Sequence, residues 1–98
     1  MYVIAIHEIL NAETAFPRGR ALMTGEGAPS GVRVLQFFPT SDATRVYCLW
    51  ESPTVGAVQG YVDSVLGDAA VNTTYQVDSS QAFAERPLGL PTAPALAS

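Results

Sequence analysis

The stretch from residue 44 to residue 67 constrains the fold more than any other part of the chain. Its first half, Arg45–Glu51, is rich in β-branched, aromatic and apolar residues, a composition typical of a buried strand. Ser52 and Pro53 follow, and they suit the N-cap and the first position of a helix, because serine can accept a bond from a free helix N–H and proline has no N–H to leave unpaired. A stripe of valines at helical spacing comes next: Val55, Val58, Val62 and Val65. This stretch therefore predicts a strand followed by a helix over residues 53–66, which ends at Gly67.

The rest of the chain predicts three more strands and one more helix. The runs YVIAIHEIL (2–10) and VRVLQFF (32–38) are β-rich, and the short turn PTSDA joins the second run to the next strand, which favours an antiparallel hairpin. A weaker helix fits residues 14–24 if Pro17 lies in its first turn, since deeper in a helix a proline costs about 3 kcal/mol. VNTTYQVD (71–78) predicts a fourth strand, and residues 79–85 one further helical turn.

This order, β-α-β-β-α-β, is that of a ferredoxin-like α+β fold, in which two helices cover one face of a four-stranded antiparallel sheet. We expect one domain over residues 1–85 and a proline- and alanine-rich C-terminal tail over residues 86–98. The second face of such a sheet has no helix to cover it, and the chain is 48% hydrophobic but only 14% charged. A homodimer that buries this face is therefore expected.

The charge pattern argues against two classes of partner. The net charge is −4, and the five basic residues, all arginine, are scattered along the chain. The sequence therefore predicts no nucleic acid binding and no membrane binding. No stretch has the apolar length of a membrane span and the N-terminus lacks a signal-peptide pattern, so we expect a cytoplasmic protein. A single cysteine, Cys48, excludes an intramolecular disulfide and is expected to be a buried, inert thiol.

Four short motifs carry a family resemblance: HEIL, GVRVLQFF, YCLWESP and YQVD. On these motifs the chain resembles, over residues 3–78, the dimeric α/β-barrel superfamily, most closely its small nickel-binding-protein-type domains of unknown function (domain of unknown function 4242). The resemblance implies the ferredoxin-like fold, a homodimer, and the binding of a divalent metal such as nickel or zinc. The superfamily also includes cofactor-independent monooxygenases and isomerases, so these activities are implied as alternatives.

His7, the only histidine, is the first candidate for a site residue. An imidazole can act as a general base or bind nickel or zinc, whereas the structural alternative is a strand histidine satisfied by a backbone or carboxylate partner. Because side chains alternate along a strand, His7 and Glu8 are expected on opposite faces and cannot bind one ion together. Glu13 and Glu51 remain open as partners of His7 after folding.

Four further residues complete the candidate ligand pocket: Phe37, Tyr47, Trp50 and Glu51. On the third strand, Cys48 and Trp50 share one face, and Tyr47 and Glu51 share the other. Trp50 is placed to line a pocket between the sheet and the helices, although aromatic residues also fill ordinary cores. Glu51 precedes a helix N-terminus, where a negative charge is favourable.

The sequence favours a small dimeric protein that binds a metal ion or a small apolar or aromatic molecule without turnover. The alternative is a cofactor-independent monooxygenase or isomerase that acts on an aromatic or polyketide-like molecule, with His7 as the base and Trp50 or a tyrosine supporting the substrate. No His–Asp, Ser–His or paired-carboxylate motif can be read from the spacing, which disfavours this alternative. A third hypothesis is a structural or regulatory dimer whose tail engages another protein.

Overall fold

The chain folds in the predicted element order. The computed structural model describes residues 1–85, and its elements are β1 (Tyr2–Ile9), α1 (Ala12–Thr24), β2 (Arg33–Pro39), β3 (Arg45–Glu51), α2 (Val55–Leu66), a short 3-10 turn (Gly67–Ala69) and β4 (Ala70–Gln76). The predicted α+β, ferredoxin-like βαββαβ fold is confirmed. The predicted C-terminal tail, residues 86–98, lies outside the described residues.

The four strands form one antiparallel sheet in the order β2-β3-β1-β4. The short link between β2 and β3 makes the predicted hairpin, and a bulge interrupts their register between Val34 and Gln36. β1 lies in the middle of the sheet, with His7 opposite Val46 of β3 on one side and opposite Asn72 of β4 on the other. The sheet therefore brings together residues that are far apart in the sequence.

One face of the sheet packs against both helices and forms the core. Val58 and Val62 of the predicted valine stripe are fully buried there, and Val55 and Val65 are partly buried beside them. Burial of a valine side chain contributes roughly 1.5–3 kcal/mol, so this stripe is a main reason why α2 lies on the sheet. The buried core residues are Val3, Ala5, Leu22, Val32, Val46, Cys48, Trp50, Val58, Tyr61, Val62, Leu66 and Ala70.

The start of α2 differs from the prediction. Thr54, not Ser52, is the N-cap, because its side chain accepts a hydrogen bond of 3.1 Å from the backbone N–H of Ala57. The Ser52 hydroxyl is buried and bonds the backbone of Thr54 instead, so it shapes the turn before the helix. Pro53 precedes the helix rather than beginning it. The predicted end at Gly67 is confirmed.

The first helix also begins earlier than predicted. The side chain of Asn11 accepts a bond from the backbone N–H of Thr14, and this cap starts α1 at Ala12. Pro17 therefore lies inside the helix, and its placement in the first turn was wrong. The carbonyl left without a helical donor is that of Glu13, an exposed residue, where water can bind it and reduce the cost.

After β4 the chain makes one hydrogen-bonded turn at residues 78–82, which is shorter than the helical turn predicted over residues 79–85. Backbone N–H groups of Gln81 and Ala82 bond the carbonyl of Asp78, and no helix follows within the described residues. None of the helices over residues 1–85 has the length and apolar character needed to cross a membrane.

The second face of the sheet carries no helix and is apolar. We call it the open face, and its apolar members are Tyr2, Ile4, Ile6, Phe38, Tyr47, Leu49, Val71 and Tyr75. Several are large and well exposed: Ile4 is 40% exposed and Tyr75 54%. Two ion pairs flank the apolar residues, Arg45 with Glu8 at one end and Arg33 with Glu51 at the other.

Candidate ligand pocket and histidine site

A pocket of about 260 Å³ lies between the helix-covered face of the sheet and α1. β1, β2, β3 and α1 provide most of its lining, which is mainly apolar. Phe16 and Met23 of α1 and Phe37 of β2 are partly exposed, so the pocket opens between α1 and β2. A cavity of about 150 Å³ is enough to hold benzene, so this pocket has room for a molecule of one or two rings.

His7 lies in the wall of this pocket and is held by a chain of hydrogen bonds. The imidazole Nδ1 is 2.6 Å from Oδ1 of Asn72, and Nδ2 of Asn72 donates to Oδ1 of Asp63 at 2.9 Å. The Asp63 carboxylate can only accept, so Asn72 must turn its NH₂ towards Asp63 and its oxygen towards His7. Nδ1 of His7 therefore carries the proton, and Nε2 is left as an acceptor.

This chain of hydrogen bonds is fixed by a further pair of side chains. Nε2 of Gln59 donates to Oδ2 of Asp63 at 3.0 Å and to the backbone carbonyl of Asn72 at 2.9 Å. The hydroxyl of Thr74 donates to Oε1 of Gln59 at 2.7 Å. Each amide in the network is thus oriented by two or more partners, and the tautomer of His7 follows from them.

The neutral form of His7 is favoured by its surroundings. The side chain is only 2% exposed, and burial lowers the pKa of His7 below its ordinary value of 6.5. The hydrogen bond to Asn72 and the negative charge of Asp63 act in the opposite direction but are smaller. At neutral pH His7 is therefore uncharged, with a lone pair on Nε2 that has no hydrogen-bond partner within residues 1–85.

Two polar atoms in the pocket residues have no hydrogen-bond partner within residues 1–85: Nε2 of His7 and Nε1 of Trp50. Nδ1 of His7 bonds Asn72 of β4, so Nε2, on the other side of the ring, faces away from β4. A buried polar atom without a partner costs about 1–3 kcal/mol and calls for an explanation. The two atoms need opposite partners: the imidazole nitrogen accepts a hydrogen bond, and the indole N–H donates one.

Cys48 lines the same pocket but does not add a nucleophile. The thiol is buried, and burial raises its pKa to about 12, so it stays protonated at physiological pH. The expectation of a buried thiol is confirmed. Cys48 contributes to the apolar wall between Val46 and Trp50.

The residues of the pocket do not fit a nickel or zinc centre within one protomer. His7 offers one free nitrogen, and among residues 1–85 no three His, Cys, Asp or Glu side chains come together to hold an ion. Zinc sites in proteins usually have three or four protein ligands. The predicted metal thus needs ligands from outside the described protomer and stays a prediction.

The structure brings three of the five predicted site residues together. His7, Phe37 and Trp50 all line the pocket. Tyr47 and Glu51 lie on the open face, so they do not reach it, and Glu51 pairs with Arg33 at 3.7 Å.

Asn72 and Asp63, the partners of His7, were not predicted. The sequence leaves Glu13 and Glu51 open for that role. In the structure His7 bonds the side-chain amide of Asn72, which bonds the carboxylate of Asp63. The one feature of the sequence that points to Asn72 is that it is a polar residue at a core-facing position of β4. This feature identifies Asn72 as the partner of His7 only once the register of β1 and β4 is known.

The stability of the protein is expected to depend on pH through His7. In the unfolded chain this histidine takes up a proton near pH 6.5, whereas the folded state resists protonation to lower pH. Below about pH 6.5 the unfolded state therefore binds more protons, and the free energy of unfolding should fall with decreasing pH, by at most about 1.4 kcal/mol per pH unit. Urea unfolding between pH 7 and pH 5 measures this slope.

The matched control for this slope is His7→Gln, which removes the only histidine of the chain. Its unfolding free energy should be nearly constant over the same pH range. An equal slope in both proteins would show that His7 is not the buried neutral group described above.

Comparison of the chain with family models, with curated proteins and with solved structures gives no match. The resemblance to the dimeric α/β-barrel superfamily therefore stays a prediction.

Proposed function

We propose that this protein binds a small, mainly apolar molecule of one or two rings in the pocket between the sheet and α1. The observation that carries this proposal is that two residues lining a mainly apolar pocket of about 260 Å³ each have a buried polar atom without a partner within residues 1–85, Nε2 of His7 and Nε1 of Trp50. Ligand pockets commonly combine an apolar lining with a few polar groups that fix orientation. A ligand that supplies both missing hydrogen bonds removes the cost of leaving these atoms unpaired.

The places of His7 and Trp50 in the sheet define the ligand further. His7 lies opposite Val46 of β3, and Trp50 is four residues further along that strand. At the rise of a strand, the Cα atoms of Val46 and Trp50 are roughly 13 Å apart. A ligand that contacts both residues has a hydroxyl for Nε2 at one end and a carbonyl for the indole N–H at the other. Arg20 is exposed and also lines the pocket, so a negatively charged substituent is favoured at the solvent side.

We also propose that a second copy of the chain covers the open face. The apolar residues of this face form a band across all four strands, and large exposed apolar patches of this kind usually mark an interface. Two ion pairs flank the apolar band, Arg45 with Glu8 at one end and Arg33 with Glu51 at the other, so both ends of the face offer charges of both signs to a second copy.

Binding of para-hydroxyacetophenone tests the pocket proposal. This probe has one ring, a hydroxyl at one end and a carbonyl at the other. Trp50 is the only tryptophan, so its indole N–H gives a single NMR signal that reports on the pocket directly. We expect the probe to shift this signal saturably with a Kd below about 1 mM, which corresponds to roughly −4 kcal/mol.

The controls are acetophenone, which lacks the hydroxyl, and para-cresol, which lacks the carbonyl. Each should bind at least about tenfold more weakly than para-hydroxyacetophenone, because one buried polar atom then stays unpaired. Equal binding of all three, or shifts confined to residues of the open face, would contradict the proposed pocket.

A further inference from the structure

We propose that the ligand of the pocket is a carboxylic acid with an apolar ring, and that Arg20 selects it by binding the carboxylate at the pocket mouth, the opening between α1 and β2. This inference rests on the proposed function, because the ring must occupy the same pocket between the sheet and α1. It goes beyond that function in naming the chemical class of the ligand and the residue that recognises it.

Arg20 lies in the row of α1 residues that borders the pocket mouth. Phe16, Gly19, Arg20 and Met23 follow one another at i, i+3, i+4 and i+7, so they share one side of the helix, and all four line the pocket. Phe16 and Met23 are partly exposed, whereas Arg20 is exposed. Arg20 therefore stands between the apolar interior of the pocket and the solvent.

Arg20 supplies the only charge in the pocket lining over residues 1–85. No aspartate, glutamate or lysine of this part of the chain lines the pocket, and burial favours the uncharged forms of His7 and Cys48. A guanidinium stays protonated throughout the physiological pH range. The pocket thus offers a ligand one positive charge and no negative charge, so an anionic group is favoured at its mouth and a cationic group is disfavoured.

The guanidinium of Arg20 has no carboxylate partner within the described part of the chain. The other three arginines over residues 1–85 are each paired with an acidic side chain: Arg18 with Asp68, Arg33 with Glu51, and Arg45 with Glu8. The whole chain has nine acidic residues against five basic ones, so a shortage of carboxylates does not explain the unpaired guanidinium. Its N–H donors are free to bind a ligand carboxylate through two parallel hydrogen bonds.

The single positive charge at the mouth also limits which anion fits. A carboxylate carries one negative charge and matches one guanidinium. A phosphate monoester carries about −1.5 to −2 charges at pH 7, and no second cation from residues 1–85 lines the pocket to meet it. The remaining lining is mainly apolar and suits the ring, so the ligand class is an apolar monocarboxylic acid.

The alternative role of Arg20 is to cover the apolar residues at the mouth with the methylene groups of its side chain. This role needs no charge. It would therefore not distinguish a carboxylate from an amide of the same shape, and this difference is what the experiment measures.

The test compares 3-phenylpropanoate with 3-phenylpropanamide, which has the same ring and chain but no charge. The methyl signal of Met23, one of two methionines in the chain, reports on binding at the mouth. At low salt we expect the Kd of the acid to be about fivefold lower than that of the amide. The difference should shrink at about 1 M NaCl, where the screening length is roughly 3 Å.

Two substitutions of Arg20, an exposed residue, separate its charge from its bulk. Arg20→Gln should raise the Kd of the acid about fivefold, to that of the amide, and should leave the Kd of the amide unchanged. Arg20→Lys keeps the positive charge and should retain a preference for the acid. The heteronuclear spectrum of each variant shows whether it is folded.

The matched control is Arg18→Gln, which removes the same charge from the same helix. Arg18 pairs with Asp68 at 3.1 Å and does not line the pocket, so this variant should keep the full preference for the acid. Equal loss of the preference in Arg18→Gln and Arg20→Gln would assign the effect to net charge and overturn the inference.

The same titrations separate this inference from the proposed function. If both ligands shift the Met23 signal with equal Kd, the assignment of Arg20 is overturned and the binding proposal stands. If neither ligand shifts that signal, both are overturned.

Discussion

Replacing Ile4 with aspartate is expected to convert a dimer of this protein into a monomer. Ile4 lies in the middle of the open face, between Leu49 of β3 and Tyr75 of β4, and is 40% exposed in the single protomer. Aspartate is therefore tolerated in the isolated chain. In a dimer it would place two carboxylates in the apolar band, and burial of each without a partner costs several kcal/mol. The dissociation constant of the dimer should thus rise by more than about 10³-fold.

Sedimentation equilibrium measures this change in mass directly. The original chain should sediment at twice its subunit mass of 10.4 kDa, and Ile4→Asp at the subunit mass. Ser64→Asp is the control, since it adds the same charge at an exposed position of α2, away from the open face. If the unmodified chain is already monomeric at 100 μM, or if Ile4→Asp remains dimeric, the open face is not the interface.

Filling the pocket is expected to abolish ligand binding while the fold is kept. Ala15 of α1 is 2% exposed and lines the pocket, so a leucine there extends into the empty volume. Each added CH₂ or CH₃ group that is buried contributes about 0.8 kcal/mol, which offsets the strain of a larger side chain. The stability of Ala15→Leu should therefore fall by no more than about 3 kcal/mol, whereas the affinity for para-hydroxyacetophenone should fall at least about 100-fold, which corresponds to roughly 2.7 kcal/mol.

The comparison variant is Ala12→Leu, the same substitution at an exposed position in the first turn of α1. It should bind the probe as the original chain does. Titration of the Trp50 indole signal measures affinity, and urea unfolding measures stability. Unaltered binding by Ala15→Leu would place the ligand outside this pocket.

The fold could be predicted from the sequence because each element carries a local signal. The valine stripe of α2 has helical spacing, and Arg45–Glu51 alternates between core and open face as a strand should. The first residue of each helix was harder to predict than the helix itself, because several nearby residues can serve as the N-cap. Thr54 and Ser52 are both good N-caps, and only the folded turn shows that Thr54 reaches the N–H of Ala57.

The candidate site could be predicted only in part. His7, Trp50 and Phe37 were recognisable by residue type and by their places on strands. Asn72 lies 65 residues from His7 in the sequence, and it becomes the neighbour of His7 only through the pairing of β1 with β4. Asp63 then reaches Asn72 from α2, a contact that depends on how the helix lies on the sheet. Contacts of this kind follow from tertiary geometry and leave no motif in the chain.

A crystal structure of the protein soaked with para-hydroxyacetophenone would test most directly the central claim that the pocket between the sheet and α1 binds a small ring compound. The account predicts that the ring lies between β3 and α1, with its hydroxyl within hydrogen-bond distance of Nε2 of His7 and its carbonyl towards Nε1 of Trp50. A ring bound on the open face, or a pocket without the probe at a concentration that saturates the Trp50 signal, would contradict it.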